Sequence, residues 1–401
     1  MSGITVKLVL TRSAPASVSM SRDEVRARLI HHHGLDRIVH SAGPAGVRAV
    51  LQQLRCIQID PLDPWGTNAD LVALARVDGY QRGDLYRHLF PGHAFEHFAK
   101  ERCFLPAEAF PFYRHQPPGR HWFSHALRAR RLPKGALEAV LAEIMARGPL
   151  AADDLTDHGR VKAIDWGGGW AGTRRASSMA IEVLWGRCEI VVCGRNAAGR
   201  KLYDVPERAL PAVHAAPGGD FHRWAVLHRV AAAGLLARTG GSMWAILNEA
   251  RTSSLPDELI EEGLLESVSV EGAARPYLAP AGFHTRAIGP TDERLRVLGP
   301  LDPLLWDRKL VRNVFDFEYL WEVYKPPAQR RWGWYVCPLL HRGKLVGRIE
   351  GAVKGDALKV RNIWRERTED LDQDALDEAL QRHAAACGVE RVSRPKRVRV
   401  G

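Results

Sequence analysis

Cysteine is sparse and unpatterned in this chain. Its six residues (Cys56, Cys103, Cys188, Cys193, Cys337, Cys387) form no C-x-x-C pair, which argues against zinc ribbons, cysteine-held iron–sulfur clusters and a disulfide framework, and predicts buried thiols. No apolar run reaches the roughly 18 residues of a membrane span. Residues 1–20 carry Lys7 inside their only apolar stretch and lack a convincing signal-peptide core, so a loose or mis-started N-terminus on a cytoplasmic protein is expected. Neither G-x-x-x-x-G-K-[ST] nor G-x-S-x-G occurs, which removes the usual tools of nucleotide hydrolysis and of serine-nucleophile chemistry. Carboxylates are missing from residues 109–137, where Arg114, Arg120, Arg128, Arg130, Arg131 and Lys134 stand. They are missing again from Arg391 onward, where Arg391, Arg394, Lys396, Arg397 and Arg399 stand. These two segments hold as many cations as the whole net charge of +11. With His121, Trp122 and Phe123 interleaved, such concentrated charge suits a phosphate backbone; a solvated loop and a free tail are the alternative.

At 401 residues and 46% hydrophobic content, two to four globular domains are expected. Ser21-Arg-Asp-Glu24 reads as a capping box that opens a helix to about residue 32. A second helix fits 46–56, with Val47, Val50, Leu51 and Leu54 on one face, and Ile57 and Ile59 then suggest a short extended stretch stopped by Pro61. Between 134 and 206 the pattern predicts helices at 136–146, 150–155 and 173–187, then a hairpin of strands 189–193 and 200–205. Three helices closed by a hairpin is a winged helix, whose third helix usually enters the major groove. The pattern recurs with helices at 222–238, 242–250 and 256–263 and a hairpin of 264–270 with 275–278. Residues 332–340, 344–351 and 357–363 read as antiparallel strands around a turn at 341–343, followed by a helix at 370–387.

Two motifs compete for attention. His93-Ala-Phe-Glu-His97 matches H-x-x-E-H, which on a helix would set two imidazoles on one face for zinc. With no third ligand identifiable, a helix packing Phe95 and Phe98 is the preferred reading, and no metal is assigned. Residues 167–172 match G-x-G-x-x-G, but the strands that follow are joined by a short turn and must be antiparallel, so no parallel dinucleotide unit forms. A loop leading to a recognition helix, with Arg174 and Arg175 meeting phosphate, fits better.

Several collinear segments resemble the bacterial DNA glycosylases typified by YcaQ and AlkZ. They are LRCIQIDP at 54–61, FEHFAKERCFLP at 95–106, IEVLW at 181–185, YDVPER at 203–208, LGPLDPLLWDRK at 298–309, FDF at 315–317, EVY at 322–324 and PLLHRGKLVGR at 338–348. The resemblance spans about residues 21–365. It implies an α+β chain of tandem winged helix-turn-helix domains arranged around a concave DNA-binding surface, with a C-terminal antiparallel β-rich domain. The expected divisions are 21–132, 133–215, 220–290 and 296–390, with a basic tail at 391–401.

The family's catalytic motif is Gln, an apolar residue, then Gln or Asp, and it falls on Gln58, Ile59 and Asp60. Without the resemblance these residues read as a solvent-facing strand end. Alkylation of a purine makes it a cationic leaving group and leaves an oxocarbenium-like sugar. Asp60 would stabilise that charge and deprotonate water, and Gln58 would orient the water. The resemblance also implies a DNA-engaging hairpin at His341, Arg342 and Lys344 with Arg348 beyond it, alongside Arg308 and Lys309. An ordinary charged edge is the other reading of that hairpin. Departures from the family pattern lie at residues 65–70 and 170–173, where damaged DNA would be met. The resulting expectation is a monomeric, cofactor-free and metal-independent glycosylase acting on duplex DNA with alkylated or crosslinked bases, close to the nucleoid. A non-catalytic winged-helix regulator is the rival, and a zinc hydrolase at His93 and His97 a third.

Overall fold

Ser21 opens the first helix as the capping box requires. Its Oγ accepts the Glu24 amide at 3.3 Å while the Glu24 carboxylate accepts the Ser21 amide at 2.8 Å, and the helix runs Arg22–His32. The computed structural model describes residues 17–115, 125–164 and 172–401, and throughout them helices and strands alternate in a mixed α+β chain. Helix Pro44–Leu54 starts on proline at its first turn and buries Val47, Val50, Leu51 and Leu54, the face its spacing predicts. It stops where Arg55 turns left-handed at φ +63°. The chain then extends as strand Ile57–Gln58, antiparallel to Arg102–Pro106, which pairs in turn with Ala94–Phe98.

That last strand corrects the helix expected around Phe95 and Phe98. The two rings, three residues apart, mimic helical spacing; on a strand an odd separation sends them to opposite faces. Phe95 accordingly joins a core with Phe110 and Tyr113, and Phe98 joins another with Val140, Ile144 and Trp185.

Helix Ala136–Arg147 forms as predicted. The helix expected at 150–155 is instead a strand, Leu150–Ala151, and a single turn of 3-10 helix, Ala152–Asp154, because Leu150 and Ala151 pair with the strand Lys201–Asp204. Thr173–Arg175 is also a strand, paired with Arg160–Lys162, and the helix starts only at Ala176. Val191–Arg195 and Lys201–Asp204 make the predicted hairpin, its turn held by the Asn196 side chain, which accepts the amides of Ala198 and Arg200 at 3.0 and 2.9 Å. Helix Ala176–Gly186 buries nine of its eleven residues, so it is a core helix with no free face to enter a groove. The glycine-rich residues 165–171 before it, and residues 116–124 of the carboxylate-free segment with His121, Trp122 and Phe123, lie outside the described residues.

The repeat at 220–290 keeps helix Leu255–Glu261, but the helix expected at 222–238, capped by Asp220, runs Phe221–Ala233 and ends at left-handed Gly234, because Leu236–Ala237 pairs as a strand with Tyr277–Pro280. The helix expected at 242–250 divides into a 3-10 turn, Ser242–Trp244, and a short helix, Asn248–Thr252. Strands Leu265–Val270 and Tyr277–Pro280 form the hairpin, flanked by Leu236–Ala237 and, in parallel, by Ser17–Met20. Ser17–Met20 fall within residues 1–20, expected to be loose or mis-started; pairing with Leu265–Val270 recruits them into the sheet. The C-terminal sheet runs Arg296–Val297, Val336–His341, Lys344–Lys354, Ala357–Arg365 and Arg391–Ser393, backed by helix Gln373–Ala386.

The basic tail is not free. Arg391–Ser393 and Arg399–Val400 both lie parallel to Ala357–Arg365, and Arg391 and Arg394 pair with Asp356 and Asp377. Packing also crosses the expected divisions, since one core unites Cys56, Phe95 and Phe110 with Val191, Val226, Leu278 and Trp306. Five of the six thiols are buried and Cys387 is partly exposed. No described helix is long and apolar enough to cross a membrane.

Candidate active site

The Gln58-Ile59-Asp60 tripeptide is held extended by backbone bonds: Gln58 pairs with Cys103, and the Ile59 amide donates to the Arg102 carbonyl at 2.8 Å. Ile57 and Ile59 pack against the core of helix Pro44–Leu54. Gln58 is 7% exposed, and its Oε1 accepts a hydrogen bond from Lys100 Nζ at 3.3 Å. Lys100 comes from the tight connection between strands Ala94–Phe98 and Arg102–Pro106, and its ammonium lies 5.4 Å from the centre of the Trp306 ring.

Asp60 is half-buried. One carboxylate oxygen accepts the Leu62 amide at 2.9 Å, and no cation pairs with the group among the described residues. Burial pushes its pKa above the usual aspartate value against the opposing Leu62 bond. A carboxylate in this state is a stronger base than a solvated one and carries charge that no described cation neutralises.

Of residues 65–70, which depart from the family pattern, Asn68 braces this tripeptide directly. Asn68 Nδ2 donates to the Gln58 carbonyl at 2.9 Å while its Oδ1 accepts the Leu301 amide at 2.8 Å. Trp65 is fully buried against the C-terminal sheet, and its carbonyl oxygen lies 2.6 Å from His383 Nε2. Asp70 caps its helix with Thr67 and accepts the Tyr80 hydroxyl at 2.6 Å. Just past the end of that helix, Arg76 spans to the segment 298–309 through a bidentate pair with Asp302 at 2.8 and 2.9 Å, and both side chains are 0% exposed. Lys100, Asn68 and Trp306 are not singled out by sequence reasoning. The available signal is a lysine and an asparagine inside otherwise core-forming runs.

The eight cations and polar residues expected at DNA lie in different settings. Arg342 and Lys344 flank the tip of the Val336–His341/Lys344–Lys354 hairpin and are 60% and 54% exposed, with ion-pair partners Glu293 and Glu369. Arg342 and Gly343 have φ of +47° and +78°, the left-handed pair of a type I′ turn. His341 and Arg348 are buried. His341 Nε2 lies 3.1 Å from the Glu293 carbonyl, and Arg348 is tied to Glu366 and the Glu318 carbonyl with its guanidinium over Phe317 and Trp332. Both support the hairpin from inside and do not present to a ligand. Arg174 pairs with Glu182 at 2.8 Å, and Arg175 donates to the Leu155 carbonyl at 2.7 Å. Arg308 lies over Tyr319 at 4.3 Å, and Lys309 is exposed. These last two line a cleft of 540 Å³ together with Arg238, Arg275, Tyr277 and Trp306. Gln58 and Asp60 do not line it; Trp306 lines the cleft and also lies 5.4 Å from the Lys100 ammonium.

The H-x-x-E-H motif lies on strand Ala94–Phe98 and the turn before it, where His93 stands, so Glu96 and His97 point to opposite faces. His97 stacks on Trp185 at 4.8 Å, and Glu96 is fully buried against Lys201, Arg195 and the Tyr86 hydroxyl. A helical zinc pair is therefore not what these residues build. Desolvation raises the pKa of Glu96, but Lys201 and Arg195 outweigh it and the net shift is downward. Its stabilising contribution is full above the unfolded-state pKa and is lost as pH falls through the lower folded value. Glu96→Gln is expected to flatten the fall of melting temperature between about pH 5 and pH 3 relative to wild type; parallel curves in calorimetry would refute that role.

A family model described as DNA glycosylase AlkZ-like matches residues 51–386, from within helix Pro44–Leu54 to the end of helix Gln373–Ala386. The solved structure of Streptomyces sahachiroi DNA glycosylase AlkZ is similar in fold, with a TM-score of 0.56 over 96% of this chain and 100% of that one, at 17% identity.

Proposed function

Since the chain belongs to the AlkZ-like DNA glycosylase family, we propose that it hydrolyses the N-glycosidic bond of N-alkylated purines in duplex DNA, with water as nucleophile and Asp60 as the base. The observation that carries this reading is the half-buried Asp60 carboxylate with no cationic partner among the described residues, set beside Gln58. An alkylated purine departs without acid assistance, and its loss leaves positive charge on the sugar. An uncompensated carboxylate favours that state over the neutral ground state of an undamaged nucleotide. Crosslinked bases belong to the same chemical class, and base release from a concave surface accommodates lesions that cannot swing fully out of the duplex.

Residues 133–215 and 220–290 are read as winged helices, each built from helices and a terminal hairpin. The first of these units serves as scaffold and backbone grip, because helix Ala176–Gly186 lacks the exposed face that a recognition helix requires, whereas helix Leu255–Glu261 of the second buries only Pro256 and Leu259. Membership of a glycosylase family favours the catalytic reading over a sequence-specific regulator. DNA is gripped in this proposal by the hairpin cations Arg342 and Lys344 and by Lys309 and Arg308 at the cleft. Arg174 joins them only by exchanging Glu182 for phosphate. Incubation with duplexes carrying one N7-alkylguanine, one N3-alkyladenine or one crosslink tests the activity, with alkali-labile abasic sites as the expected product. Undamaged recovery of every such duplex overturns the proposal.

Hairpin binding to the backbone has its own signature. Arg342→Ala with Lys344→Ala is expected to weaken duplex binding for all sequences alike and to reduce the slope of log K against log salt by about 1 for each phosphate no longer neutralised. An unchanged slope in fluorescence anisotropy would remove the hairpin from the interface.

A further inference from the structure

We infer that Lys100 is a positioning residue that holds the side-chain oxygen of Gln58 and so turns the amide NH2 group toward the attacking water. The inference rests on the glycosylase reading of Gln58 and Asp60. Lys100 Nζ lies 3.3 Å from the Gln58 amide. An ammonium has three hydrogens to donate and no lone pair, so the atom it faces must be the amide oxygen however the amide is drawn. The Gln58 main-chain carbonyl is already occupied by Asn68 Nδ2 at 2.9 Å. What remains for a ligand is the NH2 group, which makes no hydrogen bond among the described residues.

Lys100 is well placed to impose this orientation. It is 7% exposed, its chain turns sharply where the Ala99 amide donates to the Glu101 carbonyl at 2.8 Å, and its ammonium sits over Trp306 at 5.4 Å. A long side chain confined on three sides loses little further freedom in holding one partner.

The consequence is a division of labour. Gln58 donates to the oxygen of water and leaves its protons to Asp60, the acceptor. As water attacks C1′, the C1′–N bond pair leaves with the cationic purine, which departs neutral, and one water proton passes to Asp60. With the amide reversed, Gln58 would accept a water proton in competition with Asp60 and misdirect the lone pair.

A double-mutant cycle on the full chain tests the coupling, using single-turnover base release from a duplex with one N7-methylguanine. Lys100→Met is expected to slow the wild type about 10-fold and Gln58→Ala about 10- to 100-fold, with duplex affinity changed less than about 2-fold. In the Gln58→Ala background, Lys100→Met should cost less than about 2-fold, since the oxygen it held is gone. Lys100→Arg, which keeps a cationic donor, should stay within about 3-fold of wild type. A purely structural lysine would instead cost the same factor in both backgrounds, and that result overturns the inference. So does a Lys100→Arg enzyme as slow as Lys100→Met, or a borohydride-trapped covalent complex, which would make Lys100 a nucleophile. Wild-type rates in both Gln58→Ala and Asp60→Asn would refute the glycosylase site itself, a different failure.

Discussion

Asp60→Asn is expected to slow base release by about 10²–10⁴ while duplex binding stays near wild type, the usual worth of a general base. The substitution preserves size and the oxygen that accepts the Leu62 amide at 2.9 Å, so the turn after the tripeptide should survive. What it removes is the charge that stabilises the oxocarbenium-like sugar and the lone pair that takes the proton. Because burial holds the Asp60 pKa above the ordinary aspartate value, the wild-type rate should fall as pH drops through that raised value, where the carboxylate becomes protonated. The variant should lose this acid limb. A wild-type rate in Asp60→Asn, or an unchanged acid limb, would assign the chemistry elsewhere.

Asp302→Ala is expected to destabilise the fold by about 3–5 kcal/mol, because it leaves the Arg76 guanidinium buried without a counter-charge. The pair spans from the end of helix Asn68–Leu74 to the segment carrying Leu301 and Trp306, with Arg76 also donating to the carbonyls of His33 at 2.6 Å and Val72 at 2.8 Å. Asp302 itself caps the 3-10 turn Pro303–Leu305 through the Leu304 amide. Its loss therefore loosens the strut that sets Asn68 against Gln58 and Trp306 against Lys100. Base release should fall together with stability, whereas Asp60→Asn should change rate alone. Replacing both partners by Arg76→Met and Asp302→Leu should cost less than Asp302→Ala, since no unpaired charge remains inside. Urea unfolding at constant m-value measures the difference; a midpoint unchanged in Asp302→Ala would show that the pair does not brace the site.

The elements most legible in the sequence are those whose signals are local. Ser21 and Glu24 mark a helix start by a hydrogen-bond pattern four residues long. Val47, Val50, Leu51 and Leu54 mark a buried face, and His341-Arg-Gly marks a hairpin turn. Signals that depend on distant partners mislead. Phe95 and Phe98 carry helical spacing but lie on a strand, and Leu150 and Ala151 form a strand only because Lys201–Asp204 runs beside them. At the site, Gln58 and Asp60 are legible through family resemblance. His341, Arg342, Lys344 and Arg348 share one hairpin and read alike in the sequence, yet the Glu293 carbonyl beside His341 and the Glu366, Glu318 and Phe317 contacts of Arg348 bury those two while Arg342 and Lys344 stay exposed.

By itself the sequence determined the family, the tripeptide, the basic character and the positions of the principal helices and hairpins, because each is written in neighbouring residues or in an ordered set of motifs. Only the tertiary structure decided which cations are available and which are consumed internally. It also decided that helix Ala176–Gly186 is core, and that Lys100 and Asn68 meet Gln58 from 42 and 10 residues away. The physical reason is that a charge or amide buried in a protein is defined by its partner. For Gln58, Arg76 and Arg348 that partner is brought near by folding and has no fixed distance along the chain.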